Sequence, residues 1–246
     1  DNGATPMHSA AIGGDQKTIL ALSKAGGDLK ALDNETKTPL HNCGIAGNAI
    51  VAATLIRLGA EIDPLDNEGC TPLMRAAMQD HAKVVKVLLD NGANPNCVVQ
   101  TETTTLFPLY MAVQHGQEEI VNMLLEKGVD PDAKYNGVPS LVNVAKHLRH
   151  ESMAKLLAAV IKRQRASAKE AQVFAKEADA LWNKAILAIS HRDQDSLRKL
   201  AETKHFSSLN PDARLLVACV LGDAELASAM LTAGADQNKE FTDVLD

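Results

Sequence analysis

Histidine and cysteine are the residues best suited to acid–base, nucleophilic or metal chemistry, and this 246-residue chain has eight of one and four of the other. Their spacing argues against all three. Cys43, Cys70, Cys97 and Cys219 are too scattered for a zinc or redox motif. Cys43 lies two residues from His41, but positions i and i+2 of a helix do not face each other, so no thiolate–imidazole pair is expected. Cys43 instead holds the small-residue place that Ala10 and Ala76 hold elsewhere, which implies a packed thiol, whereas Cys70 and Cys97 fall in turns where exposure is expected. Gly13-Gly14 resembles a phosphate cradle only superficially, because no strand precedes it. No nucleophile elbow or glycine-rich phosphate loop occurs. A Cys/His/Asp assembly drawn from distant segments is a matter of geometry, not of sequence. The expectation is no catalytic residue, no cofactor and no metal.

The elements that must position these residues are best seen in residues 66–93, DNEGCTPLMRAAMQDHAKVVKVLLDNGA. Asp66 opens a turn that Gly69 bends. Thr71 is placed to cap a helix whose first residue is Pro72, with φ already set. Asp80-His81 breaks that helix, a second one carries Val84, Val85, Leu88 and Leu89, and Gly92 ends it where positive φ is usually required. Such a hairpin cannot bury its own apolar face, so it needs neighbours of the same kind. The neighbours are legible by subtraction. Pro6, Pro39 and Pro72 are 33 apart, as are Gly26, Gly59 and Gly92, and as are Asp33 and Asp66. A second spacing fixes the phase independently: Gly14–Gly26, Gly47–Gly59, Asp80–Gly92, Gly116–Gly128 and Gly222–Gly234 are each 12 apart. With TPMH at 5–8, TPLH at 38–41 and TPLM at 71–74, the period closely resembles the ankyrin repeat. The resemblance implies an all-α solenoid of stacked helix-turn-helix units, a structural role for His8 and His41 in the turn network, and protein recognition on the concave face and finger loops.

Later units depart from the pattern. Pro108 follows Pro72 by 36, so three residues are inserted within 94–107, and the β-branched threonines of VVQTETTT favour a longer, hairpin-like finger. Tyr110 stands in the motif-histidine position and is expected in the core. Around 136–160 the Thr-Pro start is scrambled and Val160 occupies the closing-glycine position, so the helix is free to run on through a stretch without Gly or Pro. The expected organisation is ankyrin repeats over 1–160, starting near 1, 33, 66, 99 and 136, a helical connector over 161–181, and two degenerate ankyrin-like pairs over 182–246. A thin stripe at 157, 161, 168, 171, 174, 178 and 181 suits the connector to lying along a stack or bridging modules, with Lys162, Arg163, Arg165 and Lys169 as a solvated basic face. Trp182 is expected to seal the start of the second stack. The chain opens in phase without a polar capping unit, which reads as a fragment of something longer.

Apolar residues make up 46% of the chain but aromatics only 3%, so the core must be Ala, Leu, Val and Ile. A net charge of −6 argues against a broad grip on nucleic acid or an anionic membrane, and no apolar run is long enough to span a bilayer. The cysteine usage favours a reducing, cytoplasmic setting. By phase, the surface positions of the first helices include Ile12, Asn42, Ile45, Arg75, Met78, Gln79, Met111 and Gln114. The fingers add Asn34, Glu68, Glu102 and Tyr135. The apolar row Ile12, Ile45, Met78 and Met111 marks an interface, with Arg75 and Tyr135 as anchors, since hot spots favour Arg and Tyr. The expected function is binding of another protein by a monomeric module. The alternative is the targeting arm of a larger enzyme, or of a bacterial effector secreted into a eukaryotic host cell.

Overall fold

The computed structural model describes residues 2–100, 105–135, 137–191, 193–203, 206–209, 211–221 and 223, and divides into two compact units, Asp1–Lys162 and Arg163–Asp246. In the first unit four helices begin at a proline: α1 (Pro6–Gly13), α3 (Pro39–Ala46), α5 (Pro72–Met78) and α7 (Pro108–Gln114). The residue before a proline is driven out of the helical region, and Thr5, Thr38, Thr71 and Phe107 are all extended. Proline therefore starts each helix at one defined residue. A fifth such helix, α9 (Leu141–His147), lacks the proline and is capped by Ser140, whose hydroxyl accepts from Asn143 N at 3.3 Å.

Each first helix is followed by a second one: α2 (Gln16–Lys24), α4 (Ala49–Arg57), α6 (Ala82–Asp90), α8 (Glu118–Glu126) and α10 (Glu151–Ser190). One residue with positive φ turns the chain between the members of each pair: Gly14, Gly47, Asp80, Gly116 and Arg149. Asp80 and Arg149, the two non-glycines, keep the turn because the geometry of the pair demands it there, whatever residue is present. First helices pack on first helices along the series α1, α3, α5, α7, α9, and second helices pack likewise along α2, α4, α6, α8. The core between these two layers holds Leu40, Leu55, Leu73, Leu88, Leu109 and Leu124, all fully buried, and continues into Met153 and Leu157 of α10.

Between pairs the chain makes short fingers. Asp33 and Asp66 organise two of them: the Asp33 carboxylate accepts from Glu35 N and Lys37 N, and the Asp66 carboxylate from Glu68 N and Cys70 N. Neighbouring fingers are tied by Asn34 N to Asn2 O at 2.9 Å and Asn67 N to Glu35 O at 3.1 Å. The inserted finger is a β-hairpin, β1 (Val99–Gln100) against β2 (Thr105–Leu106), antiparallel with Val99 opposite Leu106. Beyond this pair the described residues are helical or irregular, so the fold is all-α as expected.

The expected connector belongs to a longer element. With no αL stop after the fifth turn, α10 runs for 40 residues, beginning in the first unit and ending in the second. Of its apolar stripe, Leu157 and Ile161 are buried, Ala168 and Ala171 exposed, and Ala178 and Leu181 half-buried. The second unit builds its own core from Ala185 of α10, Leu197 and Leu200 of α11 (Gln194–Ala201), Phe206 and Leu209 of a 3-10 turn and its exit, and Ala213 and Val217 of α12 (Pro211–Leu221). Trp182 packs against that cluster. The chain breaks between α10 and α11 as the sequence suggests, with Asp193 capping α11 through Ser196 N at 3.0 Å. The last expected helix and Gly234 lie outside the described residues.

Candidate functional site

His8 and His41 are structural latches. Thr38 N donates to His41 Nδ1 at 3.1 Å, which fixes Nδ1 as an acceptor, so Nε2 carries the proton and donates to Cys70 O of the next finger at 3.0 Å. His8 repeats this arrangement with Thr5 N at 3.1 Å and Lys37 O at 2.8 Å. The ring thus takes the capping-box place of Glu or Gln and joins two successive units at the same time. A second set of side chains closes the far ends of the first helices. Asn48 Nδ2 donates to Ala11 O and Ile12 O, each at 2.7 Å, and His81 Nε2 to Ile45 O at 3.0 Å, satisfying carbonyls that a helix end leaves unpaired. Met74 and Tyr110 take the latch position in the third and fourth units and cannot make the same bridge.

The thiols of Cys43 and Cys70 are equally structural. Burial pushes the Cys43 thiol up to about 12 and, at Cys70, up to about 11. Cys70 is therefore a correction: its turn is covered, its carbonyl accepting from His41 of the preceding unit and its amide donating to Asp66 of its own finger. Cys97 is half-buried and Cys219 exposed. Among the described residues no cluster of His, Cys, Asp and Glu is arranged to hold a metal ion, and no helix is long and apolar enough to cross a membrane.

The first-helix surface differs from expectation at three positions. Ile12 is 57% exposed, Ile45 and Met78 are half-buried, and Gln79 and Gln114 are exposed. Asn42, Arg75 and Met111 are buried, which corrects their placement on the exposed row. Each is the fourth residue of its helix counted from the proline, and Arg75 is held there by the finger before it. Arg75 shows the consequence most clearly. Its Nε donates to Asp66 Oδ2 at 2.6 Å, while Nη2 lies 2.6 Å from the same oxygen, off the hydrogen-bonding direction, and 3.2 Å from Glu68 Oε2. Asp66 has no exposed side chain, so Arg75 is the counter-ion that allows this carboxylate to sit inside the finger. It anchors the finger to α5.

Tyr135 is half-buried against Phe107, ring centroids 4.4 Å apart, and Phe107 also meets Tyr110 at 5.6 Å. Beside this aromatic group, Tyr110, Gln114, Asn143, Val144, His147 and Leu148 line a groove of about 470 Å³ between α7 and α9. Asn34 and Glu68 are exposed, and Glu102 lies outside the described residues. In the second unit a cleft of about 550 Å³ contains His191, Asp193 and Ser196. It is not a nucleophile–base arrangement. The Ser196 hydroxyl bonds to Asp193 Oδ2 at 2.5 Å as part of the helix cap, and His191 Nδ1 bonds to Leu187 O at 2.8 Å.

Sequence reasoning missed one surface. Leu32, Leu65 and Val98 are exposed by 56%, 50% and 39%, each at the stem of a finger. The signal was available, since each lies six residues after a closing glycine (Gly26, Gly59, Gly92) and the three are 33 apart.

Comparison with known proteins agrees with this geometry. Residues 46–135 match the family model for ankyrin repeats, three copies. No curated protein matches the chain.

Proposed function

Because residues 46–135 are ankyrin repeats, which are generally protein–protein interaction modules and typically non-catalytic, we propose that this chain binds a partner protein on its first-helix face and fingers. The observation that carries this reading is the row Ile12, Ile45 and Met78, one per unit and 33 residues apart, apolar where a solvated helix needs only polar residues. The exposed Gln79, Gln114, Asn34 and Glu68, with the half-buried Tyr135, complete the surface. Asn42, Arg75 and Met111 act beneath it as supports. A standard interface buries about 1,600 Å² in total, within reach of three or four such units.

The test avoids Arg75, since reversing its charge would undo the finger that Asp66 organises. Ile12→Glu with Gln79→Glu alters two exposed side chains and should leave the circular dichroism spectrum unchanged. Partner affinity, measured by titration after capture and identification of the bound protein, is expected to fall at least tenfold. Equal affinity of variant and wild type would reject this face.

A further inference from the structure

The finger stems carry a second periodic surface, and its chemistry defines what it would take. Leu32, Leu65 and Val98 are each exposed, and their side chains emerge from equivalent points of three consecutive fingers. Successive units stack through direct contact of their first helices, so the row repeats at the helix-packing distance of about 8–10 Å. An extended polyproline II chain has three residues per turn and rises about 3.1 Å per residue, so every third side chain returns to one face about 9 Å on, in step with that repeat. A helix returns a side chain to one face about every 5.4 Å, or about every 10.5 Å at seven-residue spacing, and a β-strand alternates its faces, so neither keeps step with the row.

Charge selects the occupant further. Leu65, the central member, sits in the stretch 61–70, which carries Glu61, Asp63, Asp66 and Glu68 and neither lysine nor arginine. Arg75 partly offsets Asp66 and Glu68, but the Glu68 side chain remains 60% exposed, and Glu61 is exposed as well. Around Leu32 stand Asp28, Asp33 and Glu35 against Lys30 and Lys37, the latter drawn onto Glu35, so this stem is acidic by one charge, and the stretch 93–100 around Val98 carries none. A second copy of this edge would bring acid onto acid, and an anionic lipid surface would be repelled in the same way. A basic, extended segment satisfies both features.

We propose that the finger stems bind an extended segment of the partner protein, with an aliphatic residue at every third position and lysine or arginine between them. The segment lies across the fingers, seating its aliphatic side chains beside Leu32, Leu65 and Val98. This rests on the protein-recognition reading above and adds the class of ligand.

A random 12-residue peptide library displayed on phage, selected on the full chain, tests it. The expected result is a consensus of aliphatic residues three apart with Lys or Arg between them. Those peptides, made with a fluorescent label, should bind at least tenfold more weakly to a Leu32→Ser, Leu65→Ser, Val98→Ser variant, and more weakly at 0.5 M salt. All three substitutions are at exposed side chains, so the variant should keep the wild-type melting temperature. Selection of acidic or helical peptides, or equal binding to the triple variant, would overturn the proposal. Peptides lost on Ile12→Glu/Gln79→Glu but retained by the triple variant would overturn it while leaving the first-helix face as the recognition surface. Enrichment of nothing on the finger stems, with a captured protein still sensitive to Ile12→Glu/Gln79→Glu, would have the same meaning. Failure of both would remove both readings.

Discussion

His41 shows how one side chain can be read from sequence as structural and then acquire a measurable consequence. Its ring is buried, and burial holds its pKa below the ordinary imidazole range, with the hydrogen bond to Cys70 O opposing the shift. Protonation would also destroy the acceptor that Nδ1 presents to Thr38 N. The unfolded chain therefore takes up a proton near pH 6.5 that the folded chain resists until lower pH. The stability this histidine contributes is complete above about pH 6.5 and is lost as the pH falls from there through the folded value. Urea unfolding between pH 7.5 and 5 should show wild-type stability dropping with acid more steeply than that of His41→Gln, which can still complete a capping box. Parallel curves would show that the latch does not titrate. Thr36 makes a second case. It has φ 55° at the finger position where Gly3 and Gly69 sit, also with positive φ, and a β-branched residue is strained there. Thr36→Gly should raise stability by about 1 kcal/mol, the relief of strain exceeding the added entropy of the unfolded chain, and thermal melting measures it.

At the scale of elements, legibility followed the strength of the local signal. Starts and turns were readable because proline and positive-φ glycine act through steric rules that need no neighbour, and the 33-residue period fixed their phase. Burial at Asn42, Arg75 and Met111 was not readable, because a helical wheel gives a side chain's direction and not what packs against it, as the Asp66 finger does at Arg75. The span of α10 was half readable: the missing glycine predicted that the helix would continue, but nothing local marked its start at Glu151. The exposed finger-stem row obeys the same period as the prolines, but it lies outside the helices, where helical phase says nothing of exposure. Gly44 shows where packing between elements outweighs propensity. It lies inside α3 without positive φ, so alanine would favour the helix by about 0.8–1 kcal/mol. A Cβ there would stand 2.6 Å from Pro72 O and 3.2 Å from Ala76 N, both backbone atoms of α5 that cannot step aside. Overpacking of this kind costs about 1–3 kcal/mol. Gly44→Ala should therefore destabilise the first unit in chemical unfolding despite its better propensity, and a stabilised variant would mean that α3 and α5 separate more easily than their contact suggests.

For the molecule as a whole, the decisive feature is that its two cores do not share residues. The first ends at Leu157 and the second takes up only at Leu181 and Ala185, while every described side chain from Lys162 to Val173 is exposed. The described side chains of α10 from Lys162 to Val173 bury nothing, and these turns are held by their own hydrogen bonds, a marginal arrangement for so short a length of helix in water. In a stack of units each is stabilised by its neighbours, so damage to a segment belonging to neither core should stay local. Ala171→Pro makes the test sharp. Proline in a helix interior removes one backbone hydrogen bond and clashes with the preceding turn, at a cost of about 3 kcal/mol or more. If α10 were one cooperative rod coupling both units, that penalty would appear in the unfolding of each. The separation of the cores leads to the opposite expectation: hydrogen exchange should accelerate for the amides around residue 171, while the amides of Leu73, Leu88 and Leu109 keep their wild-type protection. Loss of protection in those leucines would show that the first unit depends on helix far outside its own core.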